Sequence, residues 1–146
     1  DIKKNIKGWQ EKIGYVPQTV FLLDATIMEN VAFGETMENI DKTKIKQCLE
    51  DAQFYSFVKN LEKGIYARVG ERGVQLSGGQ RQRIAIAREL YRKPEMLILD
   101  EGTSALDEET ENKLLECLER LRNQMTILIV SHRKNTLKNC EKILEI

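Results

Sequence analysis

No apolar run in these 146 residues is longer than four positions, as in Met96-Leu97-Ile98-Leu99 and Ile127-Leu128-Ile129-Val130. A membrane-spanning helix needs about 20 consecutive apolar residues, so none is encoded here. A secretory signal is also missing from the start of the chain. Net charge is missing too: 23 basic residues balance 23 acidic ones. The chain as a whole therefore carries no electrostatic case for binding nucleic acid or an anionic membrane. Two prolines and nine glycines are too few for collagen or a low-complexity linker. The three cysteines, Cys48, Cys117 and Cys140, are odd in number and contain no Cys-x-x-Cys pair. A disulfide framework or structural zinc site is not expected, and idle thiols in a reducing compartment are.

The charge that is present is unevenly placed. Arg81 to Lys93 holds five positive charges and one negative, and Asp100 to Glu119 eight negative and one positive. Glu11 to Gln18 reads as a strand stopping at Pro17-Gln18. Thr26-Ile27-Met28-Glu29 has the capping-box pattern, which places a short helix from there to about Gly34. Ile45, Cys48, Leu49 and Ala52 recur at helical spacing, as do Leu114, Leu115, Leu118 and Leu121. Phe54 to Leu61 suggests a further helical piece closed by Gly64. The apolar runs at 96–99 and 126–130 fit strands buried on both faces, as in a parallel sheet. Strand and helix alternate in the second half, which is the signature of an α/β fold. Residues 24–93 read as a mostly helical insertion, between a core strand in 1–23 and a core segment at 94–146.

In open α/β sheets, ligands lie beyond the carboxyl ends of the strands. The three expected strands end at Gln18, at Asp100-Glu101 and at Ser131-His132. A carboxylate such as Asp100 at a strand end can hold Mg²⁺, which prefers oxygen ligands. A second one, Glu101, can take a proton from water attacking phosphorus. A buried strand running into a solvated acidic turn would give the same letters. His132 is the only histidine; by itself it is as readily a surface imidazole, and Pro17-Gln18 as readily a turn. Ser77-Gly78-Gly79-Gln80 differs in kind. Ser77 and Gln80 have capping-box spacing, so a helix begins there and Pro94 ends it. Two glycines in its first turn allow a ligand near the backbone N–H groups, and helix N-termini favour phosphate. Arg81 and Arg83 would add positive potential. A well-capped helix after a glycine turn explains those residues equally well.

Taken together, the motifs resemble the nucleotide-binding domain of ABC transporters, and most closely the exporter type. Leu76 to Arg83 matches the family's signature motif, and Met96 to Glu101 its Walker B motif with the catalytic glutamate. Ser104-Ala105-Leu106-Asp107 matches the D-loop, His132 the switch histidine and Gln18 the Q-loop. Glu71-Arg72-Gly73 is similar to the x-loop of exporters. Order and spacing agree over nearly the whole chain. The fold this implies is a partial P-loop NTPase core with an inserted helical subdomain. Two departures stand out. Gly102 follows Glu101 where the family more often has Ala or Pro. The glycine-rich Walker A loop and the adenine-stacking aromatic do not occur in these residues. In the family both precede the Q-loop strand, so the chain resembles an internal segment of a larger domain.

The resemblance implies ATP and Mg²⁺ as ligands, and a second nucleotide-binding domain that closes head to tail. Asp100 and Gln18 would hold the metal. Glu101 would be the general base, and His132 would touch the γ-phosphate. Ser77, Gly78, Gly79 and Gln80 would meet the partner's ATP, and Asp107 would cross the interface. Gln18, Glu71, Arg72 and Gly73 would lie near the transmembrane domain, at the cytoplasmic face of the plasma (inner) membrane. Nucleic acid is not expected as a partner. A soluble non-transport ABC ATPase, or a silent dimerisation module, stays open as an alternative.

Overall fold

The computed structural model describes residues 5–70, 73, 75–102, 106 and 108–145. Three strands, β1 (Ile13–Val16), β2 (Met96–Asp100) and β3 (Thr126–Val130), form one parallel sheet in the order β1-β2-β3. The helices are α1 (Ile6–Gln10), α2 (Ile27–Val31), α3 (Lys42–Asp51), α4 (Tyr55–Val58), α5 (Gly78–Tyr91), α6 (Glu108–Leu121) and α7 (Lys134–Leu137). The fold is the expected α/β class, with parallel strands joined by long helical crossovers. Among the described residues no helix is long and apolar enough to cross a membrane.

β1 is shorter than the stretch from Glu11 to Gln18. Lys12 already spends its carbonyl on the N–H groups of both Glu95 and Met96, and Pro17 has no N–H to extend the ladder. Both capping boxes form. The Thr26 hydroxyl accepts from Glu29 N, and the Glu29 carboxylate accepts from Thr26 N, at the start of α2. Ser77 and Gln80 make the same reciprocal pair at the start of α5. Gly64 does not simply close a helix. It opens a 3₁₀ turn, Gly64–Tyr66, from a left-handed φ of 51°.

Burial of the strands also departs from expectation. The register aligns Gly14, Leu97 and Ile127 on one face, and Val16, Leu99 and Ile129 beside them. That face meets the core. The opposite face presents Tyr15, Ile98 and Leu128, with Tyr15 and Leu128 each 48% exposed. β3 is therefore not buried on both faces, because it lies at the sheet edge and only its inner side chains reach the hydrophobic cluster. α5 is the hub of that cluster. Its Ile84, Ile86 and Ala87 are fully buried, and it packs on α2, α3, α6 and β1. At Gly14 the approach of α5 is close enough that a Cβ would lie 2.9 Å from Glu89 Cβ.

Candidate functional site

Because the three strands are parallel, their carboxyl ends lie on one edge of the sheet. There the structure brings Gln18, Glu101 and His132 together. The Gln18 Nε2 donates to Glu101 Oε2 at 2.6 Å. His132 Nε2 lies 3.1 Å from Glu101 Oε1. Each oxygen of the carboxylate is thus fixed by a different strand end. The glutamate is mostly shielded, with 27% of its side chain exposed, whereas His132 is 90% exposed. The cluster is sheltered at its base and open at its rim.

Backbone strain accompanies this geometry. Glu101 has φ 47°, a left-handed conformation that a non-glycine residue holds at a cost of about 1–3 kcal/mol. Its N–H donates to Val130 O at 2.9 Å, which locks the turn to the end of β3. Gly102 is buried behind it, and an added Cβ would sit in ordinary contact with Gln82 and Leu99. The departure from Ala at this position therefore does not open space that Ala could not fill.

Asp100 sits one residue earlier, at the end of β2 and in register with the Tyr15 face of the sheet. Its Oδ2 accepts from the Tyr15 hydroxyl at 2.7 Å. This hydrogen bond to a carboxylate raises the tyrosine's pKa above its usual value. Tyr15 was not singled out from the sequence. The only available signal was its alternation with Gly14 and Val16, which puts it on the same face as Asp100.

The Ser77 turn is built differently, from its own neighbours. Ser77 Oγ accepts from Gln80 N at 3.3 Å, and Ser77 N donates to Gln80 Oε1 at 2.9 Å. Gly78 is half-buried beside Leu106. Gly79 is buried, and a Cβ there would come within 2.0 Å of Thr110 Cγ2 on α6. Helix packing is thus one reason for glycine at 79. The two arginines do not both serve this turn. Arg81 folds back to donate to Leu76 O at 2.7 Å, but Arg83 donates to Gln53 O at the far side of the helical region. Arg83 is thus directed at the junction of α3 and α4 rather than at the turn. Gly73 is buried at φ 71°, against Leu22 and the Arg81 stem. Glu71, Arg72 and Asp107 lie outside the described residues.

A third network, also missed from sequence, holds the chain just after the Gln18 strand. Arg88 of α5 donates to Phe21 O, Asn30 O and Asn30 Oδ1. The fully buried Asn30 in turn bonds Leu23 N and O. Only polar letters inside otherwise apolar helices could have signalled it.

A family model described as ABC transporter matches residues 1–104. The chain belongs to the ABC transporter family. Its relatives and structural neighbours include exporters. It is 41% identical over 145 residues to ATP-binding cassette sub-family B member 5 of Mus musculus, covering 99% of this chain and 12% of that protein. It is 42% identical over 140 residues to the ATP-dependent lipid A-core flippase of Cupriavidus pinatubonensis, covering 95% of this chain and 24% of that one. A solved bacterial Atm1-family ABC exporter with ATP bound aligns at TM-score 0.76 and 35% identity, over 88% of this chain and 22% of that chain. The chain thus spans between 12% and 24% of the length of these proteins.

Proposed function

We propose that this ABC transporter segment carries part of an ATP-hydrolysing site that drives export, completed by a second copy of the domain pairing head to tail. The observation that carries the reading is the Glu101 carboxylate, held by Gln18 on one oxygen and by His132 on the other. A carboxylate so oriented, with an open rim, suits a general base. Glu101 would accept a proton from water as the water oxygen bonds to the γ-phosphorus, and the bond to ADP breaks. Gln18 would orient the carboxylate and that water. The exposed His132 imidazole would donate to a γ-phosphate oxygen.

Mg²⁺ fits the donor set by chemistry. Asp100 and the Gln18 side-chain carbonyl are hard oxygen donors, and Mg²⁺ commonly takes one or two carboxylates and fills its shell with phosphate oxygens and waters. Among the described residues there is no group of three or more His, Cys, Asp or Glu side chains placed to hold an ion. When bound, Mg²⁺ would neutralise charge on the phosphates.

The Ser77 turn would serve the other ATP of the pair. The cap uses the Ser77 oxygen as acceptor, so its hydroxyl hydrogen can be donated to a phosphate oxygen. The first N–H groups of α5 have no partner within the helix and favour an anion. Gly78, Gly79 and Gln80 shape that approach, and Asp107 would cross to the partner domain. Gln18 and the 71–73 segment would face the transmembrane domain, on the cytoplasmic side of the membrane. Residues 24–93 would form the helical subdomain between the two core segments.

The test is Glu101→Gln in the full-length protein. Steady-state ATP hydrolysis should fall by about 10²–10⁴, with ATP binding retained. Turnover within about threefold of wild type would overturn the assignment.

A further inference from the structure

α6 carries one residue that its apolar stripe does not explain. Leu114, Leu118 and Leu121 are buried, and the same helical stripe runs back to Glu111. That carboxylate is only 6% exposed. A buried charge is costly unless paired and hydrogen-bonded, and a well-packed apolar side chain in its place is often no worse for stability. Glu111 is fully engaged across the chain. Its Oε2 accepts from Arg133 Nη1 at 2.9 Å, and its Oε1 accepts from the buried Thr136 hydroxyl at 2.7 Å. The same Arg133 nitrogen donates to Leu106 O at 3.3 Å. Three segments meet here: the residue before Asp107, the first turn of α6, and the chain from His132 into α7.

We propose that Glu111, acting through Arg133 and Thr136, is the positioning residue that holds the His132 segment onto Glu101. His132 is itself 90% exposed, so little packing on the imidazole fixes where it stands. Its place is set by its neighbours in the chain. On one side Val130 O accepts from Glu101 N; on the other, Arg133 and Thr136 are tied to Glu111. Arg133 N also donates to Ser131 Oγ, which bends the backbone between these ties. Breaking the second tie would leave β3 intact and free the imidazole to drift from the carboxylate. The consequence for turnover rests on the reading of His132 given above; the consequence for position does not.

The experiment uses the full-length protein with Glu111→Gln and, as a milder change, Thr136→Val. Hydrogen exchange of the peptide spanning 131–137 should quicken about tenfold in both, while exchange in 96–100 stays as in wild type. kcat should fall several-fold with KM for ATP nearly unchanged. In a His132→Ala background neither substitution should lower kcat further, because residues acting through one group are non-additive. Unchanged exchange at 131–137 overturns the proposal whatever His132 does. Equal losses of kcat with and without His132 also overturn it, by assigning Glu111 a general structural role. Faster exchange together with an inert His132→Ala would uphold the tie and overturn the catalytic reading of the histidine.

Discussion

The two parts of this molecule proposed to meet phosphate are assembled by opposite means. At the Ser77 turn, the capping bonds join residues three apart, and the geometry is complete as soon as one helical turn forms. At the strand ends, the bonds to Glu101 come from Gln18, 83 residues away, and from the far side of β3. The first device is local and robust. The second exists only when the whole sheet is in register. A one-residue slip of β2 would turn Asp100 and Glu101 to opposite faces. The proposed catalytic cluster thus lies in the part that depends on tertiary structure, and the proposed anion-binding turn in the part that does not.

The sharpest way to break this contrast is at Glu101. Loss of about 10²–10⁴ in turnover for Glu101→Gln corresponds to about 3–5 kcal/mol of barrier. Stability should barely change, or rise, because the residue sits in a left-handed conformation that amide and carboxylate tolerate equally. Thermal unfolding alongside hydrolysis separates the two. A large fall in melting temperature would show that the cluster is structural rather than catalytic.

Gly79 comes next in size. An added methyl meets Thr110 Cγ2 at 2.0 Å, so Gly79→Ala should destabilise by about 1–3 kcal/mol through overpacking between α5 and α6. Thr110→Ser removes the offending methyl and should restore most of that stability. The double variant then isolates function. If hydrolysis recovers with stability, glycine at 79 serves helix packing alone. If stability returns and hydrolysis does not, the glycine also makes room for phosphate.

The two thiols of the helical interior mark how dry that side is, in contrast to the open rim around His132. Burial pushes Cys48 up to about 11 and Cys117 up to about 12, from a usual value of 9.0. The folded state therefore keeps both protonated where the unfolded chain would release them. Their contribution is fully present below about pH 9 and declines as pH rises from there toward 12. Alkylation at pH 9, mapped by mass spectrometry, should modify the half-exposed Cys140 well before Cys48 or Cys117. Equal rates at all three would mean that the helical core opens readily.

What could be read from the letters follows the same local-versus-distant division. Both capping boxes were visible because their donors and acceptors are three residues apart. β2 and β3 were visible as apolar runs. The order of polar strand ends predicted the Gln18, Glu101 and His132 meeting, given a parallel sheet. The Tyr15–Asp100, Arg88–Asn30 and Glu111–Arg133 bonds were not legible, since each joins residues whose spacing carries no period. Two-sided burial of β3 was misread because apolar composition reports what a strand can bury, not which neighbour covers it. Gly64 was misread because glycine ends one element and starts another with equal ease.

The smallest effect is the most informative about the local device. Ser77→Ala removes the cap and should cost about 1 kcal/mol of stability. Ser77→Asp keeps a good capping oxygen and adds a charge that suits the helix N-terminus. On stability alone the aspartate variant should match wild type. Toward ATP the order should invert: alanine loses one hydroxyl donor, whereas aspartate sets a negative charge against the phosphates. Hydrolysis by the full-length protein should then fall further for Ser77→Asp than for Ser77→Ala, although the aspartate variant is the more stable. If activity instead tracks melting temperature across the two variants, Ser77 acts only as a helix cap. The signature turn would then be no more than a well-made start to α5.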